Sequence, residues 1–163
     1  MSNIVNTFLS NEDYSTIIKS VPICTVDIVI FNQDLNKVLL FKRENKPMQG
    51  VYFTAGGRLF KNESLEECAV RQAKTELGLD ISKSDIKPAG FVNEIFEDSA
   101  FGDINYHTLN CFFSYILKPN TELKFDPQHK TFDWFSIDDA SLNEFVKYRI
   151  EKCLQVEKEI RHF

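Results

Sequence analysis

No continuous basic stripe runs through this chain: its 19 Lys and Arg residues are outnumbered by 24 Asp and Glu, and the formal charge of −5 is spread along the sequence. A protein that tracks a phosphate backbone concentrates positive charge, so nucleic acid is not an expected partner. An anionic substrate has to be met by local cations or by a metal. Long apolar runs are missing too. Stretches such as Ile28–Phe31 and Val38–Phe41 fall far short of the roughly 20 residues that span a bilayer as a helix, so no membrane partner is expected. The cysteines Cys24, Cys68, Cys111 and Cys153 show no paired spacing, and the start Met1-Ser-Asn-Ile-Val lacks the charged and apolar regions of a signal peptide. Reduced thiols in the cytoplasm are the expectation. No repeat, linker or low-complexity segment interrupts the chain. With 163 residues and 43% hydrophobic content, one well-filled core and a single domain over 1–163 are expected.

What is present reads as alternating strands and helices. Ser10 or Asn11 can cap a short helix through Ile17 and Ile18, which Pro22 ends. Cys24–Phe31 and Lys37–Arg43 are β-branched and apolar around the turn composition Asn32–Asn36, a hairpin pattern. Val51–Thr54 is a short strand that the pair Gly56-Gly57 should break. Ser64 followed by Glu67 is a capping box, and Leu65, Cys68, Ala69, Ala73 and Leu77 recur at helical spacing until Gly78 supplies the stop. Lys87–Phe96 and Tyr106–Leu117 read as long strands, and Phe132–Phe135 as a short one. A helical tail is expected from Ser136 or Asp138, with a core face of Leu142, Phe145, Val146, Ile150, Cys153, Leu154 and Ile160, which Asn143 could split.

The chemistry concentrates between residues 57 and 79. Gly57, five residues, Glu63, seven residues, Arg71, then Glu76, Gly78 and Leu79 fall on fixed positions of the Nudix box, which the segment resembles. Gln72 and Thr75 stand where that box carries two further glutamates. Losing two carboxylates weakens a hard-cation site, so a multi-metal cluster on this helix is not expected, while one magnesium on Glu76 is. The same departures occur in GDP-mannose mannosyl hydrolases, which the chain also resembles in Phe8–Tyr14, Leu40–Gly50, Gly56-Gly57-Arg58 and Asp126-Pro-Gln-His129. Ala55 replaces the proline found in many of them.

That resemblance implies a set of roles. One Mg2+ per subunit, or Mn2+ in its place, would be held by the Gly56 carbonyl, Glu76 and Gln128, all hard oxygen donors. His129 would act as general base, since an imidazole titrates near neutrality. Arg43 and Arg58 would neutralise the diphosphate, as planar guanidinium groups suit phosphate oxygens; Arg43, at a strand end, could instead be a surface cation. Asp27, on an apolar strand, would meet sugar hydroxyls or an arginine, unless strand alternation turns it outward. Phe8, Leu9 and Tyr14 would lie near guanine, or else pack on the core or a dimer partner. Gly57, Glu63, Arg71 and Gly78 would be scaffold. His107 takes no role.

The implied fold is α/β: a Nudix-type α/β/α sandwich with a central mixed sheet. Within it 1–21 would form an N-terminal helix and dimer segment, 56–79 the box loop and helix, and 137–163 a C-terminal helical region, in a homodimer. The implied reaction is hydrolysis of a nucleotide sugar, GDP-mannose or GDP-glucose, by water at the anomeric carbon with inversion. Two alternatives stand beside it: pyrophosphatase attack at phosphorus, and an inactive module that senses a nucleotide.

Overall fold

The computed structural model describes residues 3–6, 8–124 and 131–161. In order, its elements are α1 (Asn11–Ser20), β1 (Ile23–Phe31), β2 (Lys37–Lys42), β3 (Tyr52–Phe53), β4 (Ala55–Arg58), α2 (Leu65–Leu77), a 3₁₀ turn (Lys83–Asp85), β5 (Lys87–Phe96), β6 (Tyr106–Ile116), β7 (Phe132–Ser136) and α3 (Glu144–Arg161). The strands form one mixed sheet along the path β3-β2-β1-β6-β5, with β4 on β1 and β7 on β2. β1 and β6 run parallel, Thr25 beside Asn110 and Asp27 beside Phe112, while β5 returns antiparallel on β6, with Glu94 opposite Thr108.

Strand alternation divides the core in two. Val26, Ile28 and Ile30 of β1 pack with Leu39 and Phe41 of β2 against Cys68, Ala69, Ala73 and Leu77 of α2. The intervening residues Val29 and Phe31, with Val38, Leu40 and Phe112, meet Val146, Ile150 and Cys153 of α3. Each strand residue buries against the helix its side faces, which is why β1 shows an almost unbroken run of buried positions. The architecture is an α/β/α sandwich.

Three local expectations change. The glycine pair does not break a strand, because Gly56 and Gly57 lie within β4, opposite Asp27 and Val26 of β1; the interruption falls at Thr54, between β3 and β4. The C-terminal helix does not begin at Ser136 or Asp138. Ser136 ends β7, and α3 starts at Glu144 because Asn143 caps it: its side-chain oxygen accepts from the Phe145 N–H at 2.9 Å and its carbonyl from Lys147 at 2.9 Å. Asn143 therefore opens the helix and does not split it. At the other end of the chain, Ser10 and not Asn11 caps α1, accepting from the Asp13 N–H at 3.0 Å.

Candidate active site

The sheet face beneath α3 changes character partway along its strands. At one end it carries Val29, Phe31 and Phe112, covered by the helix. At the other, the same sides of the same strands carry Thr25, Asp27, Thr108 and Asn110, all buried, with Glu94 of β5 beside them. This polar end floors a cavity of about 270 Å³. Its walls include Tyr14 of α1, Phe96, Tyr106, Arg43, Arg58 and the Pro47–Met48 loop. Tyr14 and Tyr106 hydroxyls lie 3.4 Å apart, and Tyr14 meets Phe101 edge-on at 5.7 Å. Burial, then the Tyr14 contact, raises the Tyr106 phenol well above its ordinary range.

A buried ionic network closes the inner end. Arg149 of α3, with no exposed side-chain surface, donates to Glu94 through both terminal nitrogens, at 2.9 and 2.7 Å. Its Nε lies 3.6 Å from Asp27. Burial works against the guanidinium charge, but the Asp27 and Glu94 carboxylates more than offset it, and the net shift is upward. Asp27 also accepts from the Thr54 hydroxyl and from the Asn110 amide at 2.8 Å. The same amide nitrogen reaches the Thr25 hydroxyl at 2.8 Å. Asp27 thus faces inward and has an arginine partner, which resolves the alternatives left by the strand pattern.

A second cavity, about 330 Å³, adjoins the first and is lined by Phe41, Lys42, Glu44, Asn45, Ala55 and Glu76; Arg43, Thr54 and Gly56 line both. Glu76 comes from the last turn of α2 and Gly56 from β4. A Cβ built on Gly56 would overlap the Asp27 carboxylate and the Val26 carbonyl, so only glycine lets the chain lie this close. Among the described residues no three His, Cys, Asp or Glu side chains come together as a metal cage. Two carboxylates, Glu44 and Glu76, line this cavity with the Gly56 backbone, a donor set that fits a single hard cation taking its remaining oxygens from substrate and solvent. The other box positions do not add to it. Gln72 is buried with its amide beneath Gly57, where a Cβ would collide with it. Thr75 is exposed and donates back to the Arg71 carbonyl at 3.0 Å.

The loop entering α2 is held by Arg71. Its guanidinium meets Glu63 at 2.6 and 2.9 Å, donates to the Arg58 carbonyl at 2.9 Å and lies 3.6 Å over the Phe60 ring. Burial opposes the Glu63 charge, but Arg71 and the Phe60 N–H outweigh it and hold this carboxyl below its ordinary value. Beside it, burial and then the Glu63 charge push the Cys68 thiol up to about 12. Ser64 and Glu67 form the reciprocal capping box, and Gly78 closes the helix in a left-handed conformation at φ 63°. A Cβ there would approach the Lys124 carbonyl to 2.8 Å, so glycine is required twice over.

Of the residues singled out from sequence, Asp27, Arg43, Arg58, Gly56, Gly57 and Tyr14 line the first cavity, and Glu76 the second. Arg43 donates from Nε to the Pro47 carbonyl at 2.7 Å and is not a free surface cation. Phe8 is 92% exposed; neither it nor Leu9 is among the residues lining these cavities. Gln128 and His129 lie outside the described residues. His107 sits on the other side of β6, its Nε2 2.6 Å from Asn93. Sequence reading missed Glu94, Thr108, Asn110 and Arg149. A signal existed for Arg149, which falls on the apolar stripe of α3, four residues after Phe145 and four before Cys153. Asn110 likewise interrupts a strand that runs on as Cys111-Phe112-Phe113.

Comparison with known proteins adds family context. The family model described as NUDIX domain matches residues 22–154. The low-salt glycan biosynthesis protein Agl8 of Haloferax volcanii is 31% identical over 142 residues, 86% of this chain and 88% of that protein. The ADP-ribose pyrophosphatase of Methanocaldococcus jannaschii is 41% identical over 58 residues, 36% of this chain and 33% of that protein. Among solved structures, the MutT NUDIX hydrolase from Burkholderia pseudomallei shares the fold with a TM-score of 0.66 at 21% identity, over 82% of this chain and 98% of that one.

Proposed function

Because this chain belongs to the NUDIX domain family, whose hydrolases act on nucleotide-linked compounds and generally use a divalent ion such as Mg2+, we propose that it hydrolyses a GDP-sugar, GDP-mannose or GDP-glucose, at the anomeric carbon. The observation that carries this reading is the fate of the box carboxylates. Of these only Glu76 lines the cavity beside Gly56, while Gln72 is turned under Gly57 and Thr75 bonds back to its own helix. A site so thinned has little means to activate water for attack on phosphorus, whereas departure of an already good leaving group asks less of it.

In this reading Glu76, the Gly56 carbonyl and Gln128 hold the ion. When bound, Mg2+, or Mn2+ in its place, would stabilise the negative charge that builds on the oxygens of the departing diphosphate. Arg43 and Arg58, which line the cavity, bind the same oxygens. A water oxygen bonds to the anomeric carbon from the face opposite the nucleotide, its proton passes to His129, and the carbon–oxygen bond breaks with its electron pair kept by the β-phosphate of GDP. The sugar leaves with inverted configuration. Glu63, Arg71, Gly57 and Gly78 keep the loop and helix in place, and Tyr14 approaches the nucleotide. The exposed Phe8 supports a homodimer in which a partner covers it. The domain is read as one unit over 1–163. Among the described residues no helix is long and apolar enough to cross a membrane.

The test is hydrolysis of GDP-mannose in 18O-labelled water. Label on mannose, with unlabelled GDP, is expected. Label on phosphate, with GMP and mannose 1-phosphate as products, would overturn the carbon-attack reading and establish the pyrophosphatase alternative, which the relative named as an ADP-ribose pyrophosphatase favours.

A further inference from the structure

Three buried polar atoms on the floor of the first cavity find no hydrogen-bond partner within the described protein: Thr108 Oγ1, Asn110 Oδ1 and Arg149 Nε. All three residues line that cavity, and none is more than 3% exposed. A buried polar group left unpaired costs about 1–3 kcal/mol, so three together on one cavity floor point to something that completes them. The Thr108 hydroxyl makes no hydrogen bond among the described residues, and Asn110 already spends its amide nitrogen on Thr25 and Asp27, which leaves its oxygen directed elsewhere.

The chemistry of the floor selects the ligand. It offers acceptors (Asn110 Oδ1 and the carboxylates of Asp27 and Glu94), a donor (Arg149 Nε) and a hydroxyl that does both. A group that donates and accepts at each of several neighbouring positions is a ring bearing hydroxyls. Its place along the substrate follows from the two cavities sharing Arg43, Thr54 and Gly56. With the diphosphate placed at Glu76 as in the reading above, whatever fills the polar cavity adjoins it and is not a further ring removed as the base is.

We propose that Thr108, Asn110 and Arg149 form the subsite for the sugar of the nucleotide sugar, with Thr108 a specificity-determining contact to one of its hydroxyls. This rests on the hydrolase reading above but not on which bond breaks. Ribose shares the same chemistry, so the test separates the two rings. Calorimetry in Mg2+ would compare GDP, which carries ribose alone, with the 2-deoxy-2-fluoro analogue of GDP-mannose, whose fluorine slows turnover by disfavouring positive charge at the anomeric carbon.

Thr108→Val is expected to keep the melting temperature, because the hydroxyl it removes bonds to nothing among the described residues. It should weaken the analogue by roughly 3- to 10-fold, the worth of one neutral hydrogen bond, and leave GDP binding unchanged. Thr108→Ser should restore the wild-type affinity. Equal weakening of both ligands would place ribose or base on this floor and overturn the proposal. So would an unchanged analogue affinity, or a serine variant no better than the valine one. Failure of the hydrolase reading shows separately: wild-type enzyme releasing GMP leaves this comparison of affinities intact, and a wild-type enzyme binding neither ligand sinks both.

Discussion

Two arginines, each gripping a glutamate with two hydrogen bonds, sit on opposite faces of one sheet and do different things. Arg71 joins α2 to the loop before it; its side chain is 25% exposed while that of Glu63 is 1% exposed, and the pair is completed by Phe60 and the Arg58 carbonyl. Arg149 joins α3 to β5; both it and Glu94 are sealed, at 0% and 3% side-chain exposure, with Asp27 as a second carboxylate. The first pair is fully answered by its surroundings. The second leaves Arg149 Nε unanswered at the floor of a cavity. A satisfied network holds structure, and an incompletely satisfied one beside open space awaits a ligand.

The difference is sharpest in stability. Arg149→Met strips the guanidinium that, among the described residues, pairs with Glu94 and Asp27, and leaves two carboxylates buried without it. A loss of about 3–5 kcal/mol is expected, read as a lower urea midpoint at unchanged slope. The double variant Arg149→Met, Glu94→Met should recover part of it, because it removes one of the two stranded charges and leaves Asp27, which keeps its bonds from Thr54 and Asn110. A single variant within 1 kcal/mol of wild type would mean that water already reaches the floor, and the contrast between the pairs would collapse.

The two pairs also differ in how visible they were beforehand. Glu63 and Arg71 belong to one loop and helix at fixed spacing, so a local pattern carries them. Arg149, Glu94, Asp27 and Asn110 come from four elements, and only the packing of α3 on the sheet brings them together. The same logic governs the rest of the fold. The capping box at Ser64 and the stop at Gly78 depend on a few neighbouring residues and could be read from them. The start of α3 could not, because β7 consumes Phe132–Ser136 by pairing with β2, a long-range partnership that no local propensity reports. The glycine pair failed for a related reason: the two glycines serve close approach of β4 to Asp27 and Gln72, not a chain reversal.

Arg71→Met tests the satisfied pair. Glu63 keeps the Phe60 N–H and its surroundings are partly open, so the expected loss is smaller, about 1–3 kcal/mol by chemical denaturation. Its pH dependence gives an independent readout. The Glu63 carboxyl is held below its ordinary value of 4.5, so its contribution is complete above that value and is lost as pH falls through the depressed one. Wild type should therefore lose stability on acidification more steeply than Arg71→Met, and the two curves should converge below pH 4.5. Curves that stay parallel would show that the carboxyl is not held by this arginine.

The smallest expected effects come from the caps of the two helices that carry these arginines, and they ask whether pocket and scaffold respond to local loosening alike. Ser64 accepts from the Glu67 N–H at 3.1 Å and opens α2; Asn143 accepts from the Phe145 N–H at 2.9 Å and opens α3. Each cap changed to alanine leaves an orphan N–H at an exposed helix end and costs about 1 kcal/mol. Arg149 lies six residues into α3 and is pinned from three sides, so Asn143→Ala should lower the melting temperature with little change in affinity for a nucleotide sugar. Ser64→Ala removes the side-chain half of the box that fixes the loop after Arg58, while Glu67 still accepts from the backbone N–H of that position. That loop follows directly on Gly56, Gly57 and Arg58 of β4, so the equal loss of stability should come with a measurably weaker response to Mg2+. Equal Mg2+ titrations for the two variants would show that Arg71, and not the cap, sets the position of the loop.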